Sequence, residues 1–76
     1  MPPKRSKANQ ALGRAIRAAR LERGLSQEVF AAHTGLDRSY FGAIERGEFN
    51  PQIDNVVKIA TGLGIAAGEL LTRAGL

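Results

Sequence analysis

The side chains of this 76-residue chain that could act on a partner are cations and hydroxyls rather than catalytic groups. There is one histidine, His33, and no cysteine, and the seven acids are scattered along the chain. The glycines at 62 and 64 follow helical residues instead of a strand, so no phosphate-cradling loop of the Walker type is present. Such a set offers no nucleophile–base pair, metal cage or phosphoryl-transfer site, and we expect no enzyme activity, no metal and no cofactor. What remains is the opening of one helical run, Arg38-Ser39-Tyr40, followed by Ala43. Arginine can grip guanine O6 and N7 with two bonds, serine can donate or accept, and an alanine methyl can lie against the methyl of thymine. The chemistry on offer is the reading of base edges.

Those side chains need a helix held at a fixed angle, and residues 26–47, SQEVFAAHTGLDRSYFGAIERG, supply the parts. Ser26 and Asp37 each precede a helical run, as N-caps do. Gly35 stands between the two runs, where an abrupt turn needs positive φ. Ala31 is small where two helices must cross. Phe41 and Ile44 give the second run an inner face, leaving Arg38, Ser39, Gly42, Ala43 and Arg46 outside. This is the layout of a helix-turn-helix, whose second helix reaches base edges with its N-terminal residues. On that reading Arg38, Ser39 and Ala43 touch bases. Tyr40 either packs on a neighbouring helix or gives its hydroxyl to a phosphate, and Arg46 touches the backbone.

The remainder reads as support, in an all-α fold of five helices. A first helix over 8–22 carries an inner stripe of Leu12, Ile16 and Ala19. Gly13 opposes it by about 1 kcal/mol relative to alanine. A loop over 46–51 leads to a helix over 53–63 with Ile53, Val56, Val57, Ala60 and Leu63 as its inner face. A last helix, 66–73, starts on Ala66, a poor cap. Residues 1–7, with Pro2, Pro3, Lys4, Arg5 and Lys7, read as a flexible basic arm that follows phosphates or enters a groove, or else as an ordinary solvated terminus. The domain proper is 8–76. The net charge is +4, and seven of the 11 basic residues precede Gly24, an asymmetry that suits a polyanion.

Four segments, LSQEVFAAHTG, LDRSYFGAIERG, NPQIDNVVKIATGLGI and GELL, together resemble the Cro/CI-type (XRE-like) helix-turn-helix regulators over about residues 12–71. The resemblance implies a phage-repressor-like domain and several residue roles. Gln27 matches a glutamine that contacts a phosphate at a helix N-terminus. Arg20 and Glu45 match a pair that ties the first helix to the reading helix. Asn50 and the loop amides match a phosphate-touching loop. Ile65, Leu70, Leu71 and Leu76 fall in the region the family uses for dimer contacts. Two departures stand out: the family has longer or polar side chains at Gly42 and Ala43, and often an arginine at Phe49.

The expectation is therefore a sequence-specific regulator of double-stranded DNA. It would act by operator occupancy as a homodimer on a palindromic site, with RNA polymerase as a further possible contact. The alternative is a protein-binding module, an antitoxin or bridging coactivator. With no signal peptide or membrane-spanning stretch, the sequence reads as soluble and cytoplasmic.

Overall fold

The first three helices each begin where a short oxygen-bearing side chain accepts a free amide. A computed structural model describes residues 6–76, and among these it contains five helices and no strand. They are α1 (Lys7–Glu22), α2 (Gln27–Thr34), α3 (Arg38–Glu45), α4 (Ile53–Leu63) and α5 (Ala67–Arg73). Ser6 accepts from the Asn9 amide at 3.0 Å, Ser26 from Val29 at 3.1 Å and Asp37 from Tyr40 at 3.2 Å. The Ser6 cap puts Lys7 inside α1 and not in an arm. Lys4 and Arg5, also assigned to that arm, lie outside the described residues.

Apolar residues from all five helices meet in one core. Ile16, Phe30, Phe41, Ile44, Ile59 and Leu70 are fully buried, and the rings of Phe30 and Phe41 lie 5.1 Å apart across the α2–α3 crossing. Burying each such side chain is worth about 1.5–3 kcal/mol. Between α2 and α3 the chain reverses at Gly35, with φ 77°. Leu36 then donates back to the Ala31 carbonyl, closing the end of α2.

Gly13 has a structural reason that its helix propensity hides. The backbones of α1 and α3 touch at this position. A Cβ there would sit 2.6 Å from the Ile44 carbonyl oxygen and collide with that of Glu45 as well. Only glycine lets the two helices approach so closely.

Three expectations need correction. Ile53 and Val57 do not face inward: they are 66% and 47% exposed. The buried stripe of α4 is Val56, Ile59, Ala60 and Leu63, spaced i, i+3, i+4, i+7, and the two exposed residues fall off it. Leu70 belongs to the core and is closed to any partner. Ile65 and Leu71 are half-buried, and Leu76 is exposed. Finally, α5 runs from Ala67 and not from Ala66, which is its N-cap and, as its type implies, a poor one with no side-chain bond.

Candidate nucleic-acid interface

Helix α3 lies between α1 and α2, and every residue from Phe41 to Glu45 is buried. Of its eight residues only those of the first turn are exposed. Arg38 and Ser39 form the exposed first turn, and Arg46 stands exposed just past the last. Arg38 makes no hydrogen bond or ion pair among the described residues. The Asp37 cap fixes the backbone beneath it.

Ala43 is not on this surface. It is 4% exposed, which removes it as a contact for a thymine methyl. Its own carbonyl takes part in closing the end of α3. Gly47, at φ 74°, donates to the Ile44 carbonyl at 3.0 Å, and Glu48 donates to the Ala43 carbonyl at 3.0 Å. This paired reversal folds the loop back along the final turn. Gly42 is covered too, by the ends of two side chains: a Cβ on it would lie 3.2 Å from Arg46 Nη1 and 3.6 Å from Gln27 Oε1.

Behind α3 sits a buried polar cluster. Arg20 donates from Nε to Glu45 Oε2 at 2.7 Å and from Nη2 to Oε1 at 3.0 Å. Its Nη1 donates to the Leu25 carbonyl at 2.8 Å. The hydrogen bonds and charge of Glu45 raise the pKa of Arg20 above its ordinary value, against the effect of burial. Gln27 donates from Nε2 to the same Glu45 Oε1 at 2.8 Å. The glutamine expected at a phosphate is thus tied by its amide nitrogen to the pair, with its oxygen turned toward Gly42. No buried side-chain nitrogen or oxygen among the described residues lacks a partner.

The remaining candidates are spread around this helix. Tyr40 packs toward α4, where its hydroxyl accepts from Asn55 Nδ2 at 3.0 Å and its ring lies 6.5 Å from that of Phe49. The phenolic proton is still available to an acceptor. Arg46 is engaged by Glu48, through Nε to Oε2 at 3.0 Å and Nη2 to Oε1 at 3.1 Å. That pairing raises the arginine's pKa. Asn50 is exposed in the α3–α4 loop.

Sequence reasoning missed Ser6, Asn55 and Glu48. Ser6 carried a readable signal, a serine ahead of an alanine-rich run. Asn55 and Glu48 carried none, because their partners are set by tertiary packing and by the loop reversal. Among the described residues no group of three or more His, Asp or Glu side chains could hold a metal ion, and no helix is long and apolar enough to cross a membrane.

Residues 16–70 match the family HTH_3: Helix-turn-helix. The restriction-modification controller protein C.AhdI from Aeromonas hydrophila is 45% identical, with a TM-score of 0.79 over 82% of this chain and 94% of that one. Control protein C.BamHI of Bacillus amyloliquefaciens is 40% identical over 60 residues, 78% of this chain and 74% of its own. A Neisseria hypothetical transcription factor from Neisseria meningitidis is 45% identical over 56 residues, 74% of this chain. Those residues amount to 53% of that relative, so the chain spans about half its length.

Proposed function

The chain belongs to the helix-turn-helix family, and from that premise we propose that it is a sequence-specific regulator of transcription that binds double-stranded DNA and acts by occupying an operator. The observation that carries this reading is the build of α3. Its middle is locked by the core and by the Arg20–Glu45–Gln27 cluster, while Arg38 and Ser39 project from its first turn. A rigid helix with its polar N-terminal turn exposed is what the major groove accepts. Arg38 reads a guanine, and Ser39 supports it. Tyr40, Arg46 and Asn50 supply backbone contacts, Gln27 donates the second N–H of its Nε2 to a phosphate, and Lys4, Arg5 and Lys7 add attraction. These contacts make affinity salt-dependent and steer the chain along DNA.

We further propose a homodimer joined through Ile65, Leu71 and Leu76. It would place two α3 helices about 34–36 Å apart on a near-palindromic site in the cytoplasm. Selection from a randomised duplex library, followed by footprinting of the selected site, tests the reading. A logo with two inverted half-sites is the expected result; enrichment of no sequence would refute it.

A second reading, docking to a protein such as RNA polymerase, is favoured by one observation. Ile53 and Val57 stand exposed four residues apart on α4. If DNA is the main partner, Val57→Ser leaves operator affinity unchanged.

A further inference from the structure

Gly42 is an odd residue for the middle of a short helix, since alanine there would add about 1 kcal/mol of helix propensity. It makes a notch in α3, and two side-chain ends meet over it: Gln27 Oε1 and Arg46 Nη1. Gln27 is held there by the buried Glu45. Arg46 is held from its other edge by Glu48, which takes up Nε and Nη2 and leaves Nη1 pointing over the notch. Glu48 is itself anchored, because its backbone amide closes the α3 end on Ala43 and its side chain is only 16% exposed. Arg46, at 58%, is the more exposed partner of the two. An arginine standing alone at a helix end would sample many rotamers and lose that freedom on binding.

We propose that Glu48 is a positioning residue: with Gly42 as the seat, it holds the Arg46 guanidinium in one orientation, so that Nη1 meets a hydrogen-bond acceptor of the operator without an ordering cost. This rests on the DNA-binding reading above, and it assigns roles to Glu48 and Gly42, which do not themselves contact DNA. The acceptor is a phosphate oxygen or the O6/N7 edge of a guanine, which share the same chemistry. An acid beside DNA would otherwise only repel it, so the sign of its effect is diagnostic.

The test compares wild type with Glu48→Gln on two duplexes across a salt series: the site selected by the wild type, and a random sequence. If Glu48 positions Arg46, the random duplex binds as well or better, because a negative charge is gone. The preference for the selected site falls roughly three- to tenfold, the range expected for ordering one long side chain on binding. Arg46→Lys gives the same fall, since an ammonium cannot be held by two edges. Combining it with Glu48→Gln adds nothing. Gly42→Ala, which collides only with the movable tip of Arg46, keeps the fold and also lowers the preference. A changed logo at one position in Arg46→Lys identifies a base as the acceptor; an unchanged logo identifies a phosphate that Arg46 meets only in the complex docked on the selected site. An equal gain on both duplexes in Glu48→Gln would overturn the inference and leave the DNA-binding reading intact. Failure of the wild type to select any site would overturn both.

Discussion

Helix α3 carries an arginine–glutamate pair at each side, and the two look alike in geometry. Arg20–Glu45 and Arg46–Glu48 are both two-pronged, with bonds between 2.7 and 3.1 Å. They differ in where they sit. The first is sealed between α1 and α3, its side chains 7% and 2% exposed; the second lies at the surface, at 58% and 16%. Water decides what each can do. In the sealed pair, loss of one partner strands the other charge away from solvent. In the open pair, water reaches the arginine and can take the place of a lost carboxylate there, so folding should depend on it far less. One set of contacts fixes a helix, and the same set, moved to the rim, is proposed above to orient a side chain.

Breaking the sealed side should give the largest effect. Glu45→Ala leaves Arg20 and Gln27 without their shared acceptor and should cost about 3–5 kcal/mol, measured by urea unfolding. A domain of this size has a total stability of roughly 4–11 kcal/mol, so a wild type at the low end of that range would leave the variant partly unfolded in buffer. Removing both charges, as in Arg20→Met with Glu45→Leu, should cost less than Glu45→Ala alone. Equal costs would mean that the pair is not sealed in solution.

Gly13→Ala attacks the backbone contact on which the sealed pair depends. It should destabilise by about 1–3 kcal/mol despite the better helix propensity of alanine. A stabilised variant would show that α1 and α3 lie farther apart than described here.

Arg38→Ala separates reading from folding. Unfolding should not move, while affinity for the selected site should fall by about 1–3 kcal/mol and preference at one base position per half-site should flatten. A uniform loss on all sequences, with the salt slope reduced by about one, would reassign Arg38 to a phosphate. The smallest effect belongs to the open pair: Glu48→Gln should leave the urea midpoint where it is, and a clear drop would make that pair a structural element.

Much of this architecture is legible in the residues. Ser26 and Asp37 mark helix starts because their side chains compete for free amides, and Gly35 marks the turn because other residues resist positive φ. The end of α4 follows from the same kind of signal, at Gly64 with φ 76°, whereas its start after Gln52 has no side-chain cap. The errors come from packing. Ala43 was placed outside by the helical period, but α3 is enclosed on more than one side, and period alone assumes a single inner face. Ile53 and Val57 are apolar and lie near the α4 stripe, yet they stay 66% and 47% exposed. Gln27 reads as a surface residue until the Glu45 carboxylate is found within reach. The Arg20–Glu45 geometry came from family resemblance; spacing alone would not have joined residues 25 apart.

The Gly13 contact has a consequence for the operator. Because α1 meets α3 backbone to backbone at Gly13 and also packs on α5, the tilt of the reading helix and the direction of the C-terminal end are coupled through α1. In the proposed dimer the protein is then a ruler without a hinge. One base pair inserted between the half-sites turns one of them by about a tenth of a helical turn. Little in the fold can rotate to follow, so the spacer should be copied as strictly as the bases themselves.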